Sequence, residues 1–183
     1  KKFRTGSEDG WETWVKTIYP DYTPENASEY YGRVIEELFH TADERQREIE
    51  SLIEGKDPGF GYAVLAQLMT NEKFSRHCSM VLTVNFDDMM ADALYLYTNK
   101  KPMVISHDSL VGFARATRTR PSIIKLHGDA RLEPKNTAEE TGSLAESVEK
   151  VLINLLSETG IIFIGYGGHD KSIVSMLEKL PRG

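Results

Sequence analysis

Apolar residues recur along this chain at two different spacings, and the change falls near residue 79. Before it they lie three and four apart, the spacing of one helical face. Trp11, Trp14, Val15 and Ile18 predict a helix over 11–19, stopped by Pro20. The proline, aspartate, asparagine and serine of 21–28 predict a loop. Val34, Leu38, Ile49 and Leu52 can form one stripe over 29–54. It reads as two helices broken near His40-Thr41-Ala42-Asp43, with Asp43 as the N-cap of the second. After a Gly- and Pro-bearing loop at 55–59, Tyr62, Leu65, Ala66 and Met69 predict a third helix over 60–71.

From 79 onward, short apolar runs alternate with amphipathic stretches. Strands are predicted over 80–83, 102–105, 122–126 and 161–164, the last entered through Gly160. Helices are predicted over 87–98, 108–116 (with Asp108 as N-cap), 144–156 and 170–180, with Val148, Val151, Leu152 and Leu155 facing inward in the third of these. A polar loop fills 130–141. Strands alternating with helices predict an α/β fold, a parallel doubly wound sheet flanked by helices. The helical N-terminal third stands outside that alternation. The chain therefore reads as one domain over 1–183, with 1–78 a mainly helical cap or insert and 79–183 the α/β core.

Composition narrows the partners. With 183 residues, 40% hydrophobic and 27% charged, the chain can bury one sizeable core. No apolar run approaches a membrane span, and no signal segment opens the sequence. The net charge of −6 argues against a polyanion-binding surface. Arg115, Arg118 and Arg120 form a small basic run, best read as a solvated loop with nucleic-acid contact as the lesser reading. The single cysteine, Cys78, can form no disulfide within the chain, which suits a reducing cytoplasm, and cannot build a several-cysteine zinc site. His40, His77, His107 and His169 show no metal-ligand spacing. Asp87-Asp88 could suggest a metal, but further ligands do not follow.

Chemistry gathers at three predicted strand ends, where open α/β sheets place their ligands. The first is Thr83-Val84-Asn85-Phe86-Asp87-Asp88: the Asn85 amide can donate and accept, and Asp87 can orient it, stabilise a nearby cation or simply cap the next helix. The second is His127-Gly128-Asp129, where Gly128 allows a sharp turn beside the imidazole. The third, Gly165-Tyr166-Gly167-Gly168-His169-Asp170, is either a plain turn capped by Asp170 or a glycine turn for a phosphate or ribose. Converging at one sheet edge, they would offer a nucleotide site with one general acid/base.

In order and spacing, Thr83–Asp87, Lys125-Leu126-His127-Gly128-Asp129 and Phe163–Asp170 resemble the motifs of the bacterial sirtuin-like domains of anti-phage, NAD-depleting proteins, over roughly 60–180. The resemblance implies a Rossmann-like sheet and NAD as substrate, cleaved at the nicotinamide–ribose bond. It implies His127, Asn85 and Asp87 as catalytic residues: His127 as general base, Asn85 on the ribose and attacking water, Asp87 on the nicotinamide side. Thr83, Gly128, Gly165, Gly167 and Asp170 would line the cofactor. It further implies a cytoplasmic homo-oligomer with further domains or a sensor protein. The four-cysteine zinc module of sirtuin deacylases cannot be built from Cys78, so no zinc is expected. Two departures stand out. The family's opening strand with its Gly-Ala-Gly-x-Ser turn is not found, nor is a final strand, so a fragment with weakened NAD binding is expected. Gly167 also stands where the family often has Ser. A protein deacylase or ADP-ribosyltransferase shares the motifs, and an inactive nucleotide-binding or assembly domain is the non-enzymatic alternative.

Overall fold

A computed structural model describes residues 8–114, 120–131, 134–135, 137 and 144–181. Arg115, Arg118 and most of the loop expected over 130–141 lie outside the described residues.

The helices before the sheet are α1 (Glu8–Ile18), α2 (Ala27–Leu38), α3 (Ala42–Ile53) and α4 (Phe60–Thr70). The cap of α3 is Thr41 rather than Asp43. Its side chain accepts from the Glu44 N–H while Glu44 reaches back to the Thr41 N–H, a reciprocal pair that one aspartate cannot make. Leu52, expected inward, is exposed in the last turn of α3, and Ile49 is the buried residue of that helix. Val15, Tyr22 and Val34 of the α1–α2 region form their own cluster, walled by Trp11, Trp14, Tyr19 and Tyr30.

The sheet has three parallel strands, β1 (Met80–Thr83), β2 (Met103–Ile105) and β3 (Ser122–Lys125), in the order β1-β3-β2. Between β1 and β2 lies α5 (Met89–Thr98), which ends at Asn99 in the left-handed conformation. A 3-10 turn, Asp108–Phe113, stands where a short helix was expected. His107 caps it instead of Asp108, its imidazole accepting from the Ser109 N–H. The chain closes with α6 (Glu146–Leu156) and α7 (Lys171–Glu178).

Strand alternation sorts β3 between two apolar layers. Ile123 joins Ala66 and Met69 of α4 and Met90, Ala93 and Leu94 of α5 on one face. Ile124 and Leu126 join Val148, Leu152, Ile173 and Met176 of α6 and α7 on the other. Met80 and Leu82 of β1 side with the second layer, and Val81 with the first. Every residue of β3 is buried, as befits a central parallel strand covered on both faces. The register pairs Thr83 with Lys125, so the carboxyl ends of β1 and β3 stand level.

The fourth expected strand is not formed. Over 161–164 no strand pairing is made, and Ile162, Phe163 and Ile164 are 76%, 56% and 64% exposed. An apolar run becomes a strand only when a neighbour takes up its backbone N–H and C=O groups, and no described strand does so here. Phe163 instead stacks on Tyr166, with ring centroids 5.9 Å apart.

Burial therefore separates two isoleucines of similar sequence context. Ile124→Ala should cost about 2–5 kcal/mol in urea unfolding, by removing a fully buried side chain. Ile162→Lys should stay within about 0.5 kcal/mol of the parent. Equal losses at both sites would contradict this core.

Candidate active site at the sheet's carboxyl edge

Past Thr83, the chain turns out of β1 at once. The Thr83 hydroxyl accepts from the Asn85 N–H (3.0 Å), and the Thr83 carbonyl accepts from the Leu126 N–H (2.8 Å). This fixes where Asn85 leaves the sheet. Asn85 is exposed, and its amide makes a long contact, 3.4 Å, to the phenol oxygen of Tyr62 on α4. Burial, with the charge of Asp87 behind it, pushes the Tyr62 phenol up, so it stays a neutral hydroxyl. Asp87 accepts from the Met89 N–H (3.0 Å) in a turn leading into α5, but the N-cap of that helix is Asp88, which makes no side-chain cap bond, so Asp87 is not the cap expected from the sequence. Asp88 points elsewhere.

Its partner is Lys125, whose side chain is only 2% exposed. The ammonium donates to Asp88 Oδ1 (2.7 Å), to Asp129 Oδ2 (2.5 Å) and to the Phe86 carbonyl (3.0 Å). An ammonium has three protons, and all three are used. Burying a charge costs several kcal/mol unless it is paired and fully bonded, and here it is. The bonds also tie the Asn85–Asp88 loop to the His127–Asp129 turn. Burial pushes the Asp129 carboxyl up, but bonds from Lys125 and the Arg131 N–H outweigh it and hold the group below its ordinary value. Asp92, one turn into α5, is raised by burial and by the charge of Asp88.

His127 is buried, and its Nε2 is bonded to the Asp170 carboxylate. Its carbonyl accepts from the Lys135 N–H (2.8 Å), and Gly128 beyond it turns at φ +83°. Asp170 is the N-cap of α7, with Oδ1 accepting from the N–H groups of Ser172 (3.0 Å) and Ile173 (3.3 Å) and from the Ser172 hydroxyl (2.7 Å). Burial raises this carboxyl too, and the bonds from His127 and Ser172 overcome it, leaving it below its ordinary value. Its oxygens thus occupy the N–H groups that a phosphate would otherwise use at that helix end.

The glycine turn is more open. Gly165 (φ +65°) and Gly168 (φ +75°) take left-handed conformations, and a Cβ on either would meet nothing within 4 Å. A Cβ on Gly167 would lie 2.9 Å from Cδ2 of the exposed His169 ring, so a serine there requires that ring to swing aside. No group of His, Cys, Asp or Glu among the described residues could hold a metal ion, and no described helix is long and apolar enough to cross a membrane.

Two side chains that the apolar pattern passes over are central to this edge. Tyr62 belongs to the α4 stripe by spacing, yet it reaches Asn85. Lys125 interrupts the run Ile123-Ile124-Lys125-Leu126. A lysine inside a buried strand with Asp four residues on was the available signal.

Two measurements test the lysine and its acids. Lys125→Met should cost about 3–5 kcal/mol, the range for breaking a buried pair, and adding Asp129→Asn should restore part of that loss. Strictly additive losses would deny the pairing. The depressed Asp129 and Asp170 carboxyls contribute stability above their ordinary value of 3.8, and it is lost as pH falls through their lower folded values. Unfolding free energy should therefore be level near neutrality and fall below about pH 4. Asp129→Asn should flatten that fall, and an unchanged acid limb would count against it.

No curated protein matches the chain. The family model of the SIR2-like domain matches residues 79–183, from the residue before β1 to the last residue of the sequence, and so takes in all three strands, Lys125, the His127–Asp170 pair and the glycine turn. That stretch is more than half of the chain, which belongs to the SIR2-like domain family.

Proposed function

We propose that this domain is an NAD glycohydrolase. The observation that carries the reading is the tie made by Lys125, which holds Asn85 and His127 on adjoining, level strand ends within a SIR2-like domain. NAD is the substrate. The open space beside Gly165 and Gly168 suits close approach of a ribose or phosphate to the backbone.

The C1′–N bond to nicotinamide breaks with its electron pair going to the ring nitrogen, so nicotinamide leaves neutral. The ribose is left as an oxocarbenium-like cation, the species formed in other glycoside cleavages. Asp87 stabilises it electrostatically. Asn85 orients water, with the Tyr62 phenol beside it. Water adds at C1′, and its proton passes to His127. Thr83, Gly128, Gly165 and Gly167 line the substrate. Asp170, bonded to the imidazole and capping α7, touches it through His127. No zinc is required. In its natural setting the domain depletes NAD in anti-phage defence, in the cytoplasm, as part of a homo-oligomer with further domains or a sensor protein.

The full-length protein should release nicotinamide from NAD, and His127→Ala and Asn85→Ala should each lower the rate by about 100-fold or more. Silence of the wild type under every activating condition tried would sink the reading. Acyl-lysine peptide consumed in step with NAD would assign the domain to deacylation instead.

A further inference from the structure

We infer that Asp170 is a positioning residue that holds the His127 proton on Nε2 and leaves Nδ1 as the nitrogen that accepts a proton in the reaction. An ionised carboxylate has acceptors only, so the proton between Asp170 and His127 belongs to the imidazole. The carboxyl is held ionised by its own surroundings: it caps α7 through two backbone N–H groups and takes the Ser172 hydroxyl as well. All of these are donors, and together they favour the ionised form, which accepts more strongly than a protonated acid. The neutral ring then has a single tautomer, with N–H at Nε2 and a lone pair at Nδ1. Among the described residues no hydrogen bond involves Nδ1.

The surroundings make this orientation durable. His127 is buried, between Leu126, which is anchored in the α6–α7 layer, and Gly128, whose φ of +83° a larger residue resists. The backbone carbonyl of His127 is held by Lys135. Asp170 is constrained as a helix cap, so it cannot turn without giving up its bonds to Ser172 and Ile173. The acceptor role of Nδ1 rests on the NAD-cleavage reading above, whereas the tautomer does not.

The test is nitrogen NMR on the full chain with 15N-labelled histidine, at mildly alkaline pH, with the His127 signals among the five histidines identified from the spectrum of His127→Ala. The wild type should show a protonated Nε2 and an unprotonated, pyridine-type Nδ1. Asp170→Asn keeps a good N-cap, so α7 stays in place, but its amide can donate as well as accept. In that variant the Nε2–H form should lose its dominance. In the enzyme assay the same variant should lower kcat at least tenfold with little change in KM, the mark of a group that acts only as the reaction proceeds. A proton on Nδ1 in the wild type, or a tautomer unchanged in Asp170→Asn, overturns the inference. The nitrogen shifts decide it even if the wild type releases no nicotinamide, a result that would remove the enzymatic reading alone.

Discussion

The carboxyl edge of this sheet depends on one buried ammonium. Lys125 ends the central strand, paired with Thr83 of β1, and its side chain is only 2% exposed. A cation there is tolerable only if every proton finds an acceptor, and the acceptors come from two loops that share one backbone bond besides, from the Ala130 N–H to the Phe86 carbonyl. The same bonds account for two aspartates that would otherwise repel each other or need a cation from outside. Asp88 and Asp129 face Lys125, and their charges offset its burial while its charge offsets theirs. Such a cluster adds little net stability, since an apolar residue of similar volume packs with less desolvation, and its bonds here go to both loops.

From that hub the site extends in the other direction through His127. Leu126 lies between the two polar residues and inserts into the apolar layer of α6 and α7, which fixes the backbone from which both project. Lys125 joins the β3 end to the loop after β1, and His127 joins it to the N-terminus of α7. Three segments distant in sequence are thereby held by two charge-assisted links. The second link uses an aspartate with a local duty of its own, since Asp170 also caps its helix, and Asp129, the acceptor of Lys125 within the turn, likewise takes the Arg131 N–H. Double use of this kind lets a short turn be rigid without a large core of its own.

Much of this was legible in the sequence, and the parts that were not have a common cause. β1 and β3 are long enough in apolar residues, and sharply enough bounded, for their limits to be read within a residue. Asn85, Asp87 and His127 could be placed at the sheet's carboxyl edge from the sequence because each follows directly on a short, sharply bounded apolar run. Periodicity reports which face a residue lies on, but not how far its side chain reaches. Tyr62 keeps helical spacing with Ala66 and Met69 and still sends its hydroxyl to Asn85. Lys125 looked like a break in an apolar run because its acceptors on the β1 side lie 37 and 39 residues away. The run Ile161–Ile164 failed for the opposite reason. Its composition suits a strand, but strand formation belongs to a pair of segments, and one segment's pattern says nothing about its partner. The caps Thr41 and His107 were missed one or two positions away because Asp is a good cap in general, while the local bonds choose among neighbours.

The electrostatics of the edge bear on how a substrate with unlike ends could lie there. A nicotinamide dinucleotide carries negative phosphates, and its ribose becomes positive only as the glycosidic bond breaks. Asp87, Asp88 and Asp92 gather at the start of α5, close to Asn85. Lys125 is bonded to one of them, and on the proposed reading the remaining carboxylates would favour the developing cation. The phosphates need the reverse. The N-terminus of α7 could have supplied it, but its free N–H groups are taken by Asp170, whose charge in turn serves the imidazole. On the proposed reading the anionic end of the substrate would lie along the glycine turn, where Gly165 and Gly168 leave the backbone open, rather than on the helix end itself. In this arrangement Asp170 is an internal anion standing where an external one would otherwise bind, and it commits that helix terminus to orienting His127 rather than to holding phosphate.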